Sequence, residues 1–176
     1  MSKENDVAGL IERTISTFGR IDILVNNAGV GFFSKVSDLE TAEFDRMFST
    51  NMRGVFLCTK SVLPTMIQQR SGDVVNISSL AGRNAFVGGA AYAATKWALI
   101  GFARSLMLEV RQYDIRVITI CPGSVDTGFD ARPETGRKDA SRTPKAQDIA
   151  DVVLNALRMP RNVMVSEIDV RPTNPS

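Results

Sequence analysis

The sequence predicts an α/β fold, a doubly wound parallel sheet with helices on both faces. Three observations predict it. Short apolar runs bounded by turn residues recur at 21–25, 73–77 and 116–121. Helical periodicity fills the stretches between them. The chain has 176 residues, 44% of them hydrophobic, which is enough apolar material for one continuous core.

Val7, Leu10, Ile11 and Phe18 fall at helical spacing, with Asn5 and Asp6 as capping candidates before them and Gly19 as the stop. Residues 21–25 then form an apolar run closed by Asn26, Asn27, Ala28 and Gly29, which reads as a buried parallel strand entering a turn. A long helix is predicted over 41–69, with Phe44, Phe48, Asn51, Val55, Val62 and Met66 on one stripe and Pro64 bending its last turns. A second strand, 73–77, ends at Ser78 and Ser79, and a helix over 91–112 carries Tyr92, Ile100, Ala103, Met107 and Val110. The third strand, 116–121, is broken by Pro122 and Gly123. Residues 124–142 mix Gly, Pro and charge without a period and read as a long exposed loop. Thr143 is then expected to cap, and Pro144 to open, a helix reaching residue 157, and 163–170 has the β-branched content of a fourth strand. Ligands of such sheets bind beyond the C-terminal ends of the strands, which here are residues 26–29, 78–82 and 122–127.

Composition removes several function classes. A net charge of +2, with both signs interspersed, is no footprint for nucleic acid, so a small-molecule partner is expected instead. Cys58 and Cys121 form no CxxC pair, and histidine is absent; neither a disulfide framework, a metal site nor a histidine base is expected. No apolar run is long enough to span a bilayer and no leader pattern opens the chain, so the expectation is a cytoplasmic protein without a membrane partner.

Tyr92 and Lys96 stand four apart in Y-A-A-T-K, on one face of a helix. This is either a solvated face or a phenol whose acidity a neighbouring ammonium raises toward working pH. Ser79, thirteen residues before Tyr92, is either a turn serine or a group that meets a substrate oxygen. Asn51, on an apolar face, needs every bond of its amide satisfied, through structure or through function. The N-N-A-G turn and the Pro122-Gly123 turn either supply backbone conformation or let a flat ligand approach the chain closely.

Taken in order, NNAG, a helix asparagine, a strand ending in serine, Y-x-x-x-K, and a strand ending in PG with V-x-T resemble the short-chain dehydrogenases/reductases, from about residue 6 to residue 172. The resemblance implies a Rossmann-like fold and an NAD(P)-dependent oxidoreductase that interconverts an alcohol and a carbonyl. It implies that Tyr92 exchanges the proton of the substrate oxygen, that Lys96 lowers the phenol pKa and binds the nicotinamide ribose, that Ser79 polarises the substrate oxygen, and that Asn51 holds a water linking Lys96 to solvent. Asn26, Ala28, Gly29 and Asn76 match the adenosine and ribose wall, and Pro122, Gly123, Val125 and Thr127 match the contacts around the nicotinamide. The cofactor is expected to be NADP ahead of NAD, the substrate a small hydroxy acid or general carbonyl, and the assembly a homo-oligomer through the helices from Thr41 and Ala91.

The family's phosphate turn, T-G-x-x-x-G-x-G, does not occur in the 176 residues. Residues 1–176 are therefore expected to be a single partial domain, the catalytic C-terminal part of such an enzyme, missing the glycine-rich N-terminal half. Weak cofactor binding and an open sheet edge at the 21–25 strand follow from this. A non-catalytic fragment or assembly subunit is the alternative reading.

Overall fold

The computed structural model describes residues 2–129 and 142–174. Its sheet is parallel and four-stranded: β1 (Ile23–Asn26), β2 (Gly72–Ile77), β3 (Ile115–Pro122) and β4 (Glu167–Val170), neighbours in chain order. The helices are α1 (Glu4–Phe18), α2 (Thr41–Phe48), α3 (Gly54–Gln69), α4 (Ala90–Val110) and α5 (Ala146–Arg158).

Register assigns the faces. Leu24, Val74 and Val117 stand side by side across β1, β2 and β3. They pack with Val62 and Met66 of α3, Ala103, Leu106 and Val110 of α4, and Ile11 and Ile15 of α1. The opposite face, Val75, Ile118 and Ile120, packs with Ile149, Val152 and Ala156 of α5. Helices therefore cover both faces of a Rossmann-like α/β sheet, as the alternation of strand and helix predicts. β1 is the exception. It forms one edge of the sheet, and its Ile23 and Val25, on the α5 side, are each 46% exposed.

Several boundaries differ from expectation for local reasons. α1 starts at Glu4, because the Lys3 carbonyl already accepts from Val7 N at 3.2 Å; Asn5 and Asp6 lie inside the first turn, where Asp6 complements the helix dipole. Gly19 ends α1 at φ 75°, a left-handed conformation that favours glycine, with its N–H on the Ile15 carbonyl at 2.7 Å. The long helix over 41–69 is interrupted by a π-helical turn, Ser49–Arg53. The wider turn shifts the phase of the buried stripe, so Met47 is buried while Phe44 is exposed and Phe48 half-buried. α5 begins at Ala146, with the Lys145 N–H on Asp148 Oδ2 at 2.7 Å. Thr143 and Pro144 precede it, and the Pro144 carbonyl accepts from Asp126 N at 2.9 Å, which holds this segment extended. β4 is confined to four residues. Of the expected loop over 124–142, residues 130–141 lie outside the described residues.

Both cysteines are free and buried. Among the described residues no cluster of ligating side chains suits a metal ion, and no helix is long and apolar enough to cross a membrane.

Candidate active site

The residues singled out in the sequence converge at the C-terminal ends of the strands. Where β1 and β2 end, Asn26 and Asn76 are register partners, and Asn26 Nδ2 donates to Asn76 Oδ1 at 2.9 Å and Thr59 Oγ1 at 3.3 Å. Asn76 Nδ2 is buried without a partner among the described residues, a donor left over for a polar ligand group.

Asn51 sits in the π-helical turn, 1% exposed. Its Oδ1 accepts from Val30 N, and its Nδ2 donates to the Val30 carbonyl, both at 2.8 Å, and to Thr95 Oγ1 at 3.1 Å. The amide is thus committed to protein groups, and it fixes the 27–33 loop against α4. Gly29 faces the same place: a β-carbon there would lie 3.5 Å from Asn51 Oδ1 and 3.8 Å from Lys96 Nζ.

Tyr92 and Lys96 lie one turn apart on α4 and are both buried. Lys96 Nζ donates to the Ile77 carbonyl at 2.9 Å and stands 5.7 Å from the centre of the Tyr92 ring. The Lys96 carbonyl accepts from Ser78 Oγ at 3.2 Å. Such close docking of α4 on the end of β2 needs Gly82, where a β-carbon would come within 2.8 Å of the Lys96 carbonyl oxygen. Ser79 neighbours Tyr92 and draws its phenol pKa down, and its Oγ accepts from Ala81 N at 3.1 Å, capping a short 3-10 turn.

Burial dominates the electrostatics. It pushes the Tyr92 phenol up, and it pushes the Lys96 ammonium down to about 8. The sequence suggested a phenol lowered by its lysine. In the folded chain burial raises the phenol instead, and the neighbour that offsets the rise is Ser79.

Gly123 N donates to the Val170 carbonyl at 2.8 Å, tying the end of β3 to β4. Val125 packs into the α5 side of the core. Thr127 and Ala28 are exposed on their turns, and Thr127 Oγ1 accepts from Phe129 N at 3.3 Å. Asn51, Ser79, Tyr92, Lys96 and Gly29 are therefore brought together, Asn26 and Asn76 form a neighbouring pair, and 122–127 borders them as a separate wall.

Sequence reasoning missed Thr95, which joins Asn51 to the Tyr92 carbonyl through a 2.8 Å bond from its hydroxyl. It also missed Phe33 and Phe129, whose ring centres lie 5.2 and 5.9 Å from that of Tyr92. Thr95 lies within Y-A-A-T-K and was open to discovery; the phenylalanines come from distant loops and carry no shared pattern.

The family model for short chain dehydrogenase matches residues 1–138. An uncharacterized oxidoreductase of Staphylococcus aureus is 38% identical over 173 residues, which is 98% of this chain and 73% of that protein. A metagenomic short-chain oxidoreductase solved in complex with NADP superposes at a TM-score of 0.80 with 35% identity, covering 98% of this chain and 71% of the other. An alcohol dehydrogenase from the archaeon Thermococcus sibiricus, complexed with 5-hydroxy-NADP, superposes at 0.88 with 29% identity, covering 99% and 74%. The chain belongs to the short-chain dehydrogenase family of oxidoreductases.

Proposed function

We propose that this chain carries the catalytic part of an NAD(P)-dependent oxidoreductase that interconverts an alcohol and a carbonyl, with Tyr92 as its general acid and base. The observation that carries the reading is the convergence of Tyr92, Ser79 and Lys96 beyond the strand ends, braced by Asn51.

In the direction of reduction the Tyr92 hydroxyl gives its proton to the carbonyl oxygen; in oxidation the phenolate takes it back. Burial keeps the phenol protonated near neutral pH, the form that reduction needs. The Ser79 hydroxyl donates to the same oxygen and polarises it. Lys96, held by the Ile77 carbonyl, places a positive charge beside the phenolate as it forms, and in so dry a site that attraction is strong. Asn51 is a positioning residue that acts through Val30 and Thr95.

A nicotinamide dinucleotide, when bound, supplies or accepts the hydride. The residues present fit its nicotinamide end: Lys96 and Tyr92 for the ribose, and Pro122, Gly123, Val125 and Thr127 for the ring and its amide. Asn26, Ala28, Gly29 and Asn76 would form the wall beyond, where Asn76 Nδ2 offers its free donor. NADP is placed ahead of NAD, a preference supported by the NADP and 5-hydroxy-NADP complexes among similar structures. We read the 176 residues as a single partial domain. They contain no T-G-x-x-x-G-x-G turn, so this chain by itself holds the dinucleotide weakly. That sequence fact also favours the second reading, an assembly subunit without turnover. Phe56 on α3 and Trp97 and Leu108 on α4 are 46%, 56% and 56% exposed, apolar surface that supports self-association through these helices.

The test is reduction of a carbonyl panel with NADPH by the chain and its Tyr92→Phe variant, with cofactor binding followed by nicotinamide fluorescence. Turnover that falls by about two to four orders of magnitude in Tyr92→Phe is expected. Cofactor binding without turnover in the unaltered chain would favour the assembly subunit.

A further inference from the structure

One side of the Tyr92 ring is covered by aromatic rings. Phe33 meets the Tyr92 ring edge-on, with centres 5.2 Å apart and planes at 68°. Phe129 lies against Tyr92 at 5.9 Å, and Phe86 against Phe33 at 5.9 Å. Phe33 and Phe129 also converge on one point: a β-carbon at Gly31 would fall 2.9 Å from Phe33 Cζ and 2.9 Å from Phe129 Cε1. Glycine at 31 is what lets the two rings close together over the chain.

The four rings differ in exposure. Tyr92 is 7% exposed, whereas Phe86 and Phe129 are each 43% exposed. Phe33 packs with Tyr92, Met47 and Ala81 in the core, and the open rings of Phe86 and Phe129 carry that apolar surface outward to solvent as an entrance. They come from three separate segments, the 27–33 loop, the 82–89 turn and the stretch after β3, so no helix or strand requirement explains their meeting. Within this wall a charged substituent would lose its hydration against hydrocarbon, while a flat apolar group gains ring contacts.

We infer that Phe33, Phe86 and Phe129 form a specificity wall that selects ketones, and the matching secondary alcohols, bearing an aromatic or alicyclic group on the carbonyl carbon, over small hydroxy or keto acids. The inference rests on the proposed role of Tyr92, since it takes the phenol as the point to which the carbonyl oxygen is led.

The experiment uses saturation-transfer NMR on the purified chain, with and without NADPH, with acetophenone and pyruvate as probes. Acetophenone is expected to bind and pyruvate not to. Phe33→Ala and Phe129→Ala are each expected to weaken acetophenone roughly fivefold, Phe33→Leu less than Phe33→Ala, and Phe18→Ala, on the far and 74% exposed end of α1, not at all. Circular dichroism verifies that each variant is folded. No acetophenone binding, binding indifferent to Phe33→Ala and Phe129→Ala, or a preference for pyruvate overturns the wall. Acetophenone binding that depends on Phe33 without any turnover would uphold the wall and remove the catalytic reading. Faster reduction of pyruvate than of acetophenone would do the reverse.

Discussion

Asn51 and Val30 form a reciprocal amide pair: Val30 N donates to Asn51 Oδ1, and Asn51 Nδ2 donates to the Val30 carbonyl, each at 2.8 Å. A side chain here does what a neighbouring strand does elsewhere, and it joins the π-helical turn to the loop after β1. Asn51→Ala removes both bonds and the one to Thr95, leaving a buried amide site with no substitute. The expected loss is about 2–3 kcal/mol in urea denaturation, the cost of leaving such groups unpaired. An unchanged midpoint would show that the loop is held by its apolar contacts alone.

Lys96 gives a stability signature with a definite sign. Burial pushes its ammonium down to about 8, whereas an unfolded lysine titrates near 10.4. Below about 8 both states hold the proton, and the fold carries the full cost of a buried charge. Between the two values the unfolded chain binds more protons than the folded one, so stability from this group rises with pH. From pH 8 to 9.5, below the range where the Tyr92 phenol ionises, the chain should gain roughly 1–2 kcal/mol more than Lys96→Met does. Equal slopes for the two proteins in pH-dependent urea titrations would sink this account.

What the sequence made legible was whatever repeats or sits close together. Apolar runs and helical spacing located four strands and the helices between them, because burial on one or two faces imposes those periods. Tyr92 and Lys96 were readable as a pair because one helical turn separates them. The π-helical turn was not, since one stripe of residues fits a straight helix and an interrupted one until the phase of Met47 against Phe44 is known. Phe33, Phe86 and Phe129 were invisible as a group: only the sheet topology carries three distant loops to one strand-end surface. The direction of the Tyr92 shift depended on burial depth, which spacing does not encode.

Asp73 and Arg116 make a third prediction about stability, at the opposite end of the sheet. Arg116 is 4% exposed and grips Asp73 with Nε at 2.7 Å and Nη2 at 3.1 Å. Its remaining donors reach the Leu157 and Met159 carbonyls, both at 2.9 Å, at the end of α5. Arg161 adds a second cation on Asp73 at 2.9 Å. Asp73→Asn strands Arg116 in a dry site and should cost about 3–5 kcal/mol. Asp73→Leu combined with Arg116→Met should cost clearly less than the two single changes added together, because no charge is then left alone. Strict additivity in thermal denaturation would mean that the pair is not coupled.

The free edge of β1 predicts how the chain associates in solution. β1 pairs with β2 on one side, and among the described residues no strand lies on its other side. Ile23 and Val25 add half-exposed apolar surface to that edge, and Phe18, just before it, is exposed as well. An edge with unpaired backbone groups and apolar side chains is a template for pairing with another chain, and a charge placed on it blocks close approach. Val25→Lys should therefore lower the fraction of high-mass material in concentration-dependent size-exclusion chromatography while leaving the circular dichroism spectrum intact. Trp97→Lys, on the outer face of α4, separates the two modes of association: it should shift any discrete oligomer toward monomer without changing the polydisperse fraction. If Val25→Lys leaves that fraction unchanged and Trp97→Lys removes it, association runs through the helices and the β1 edge is not a contact surface.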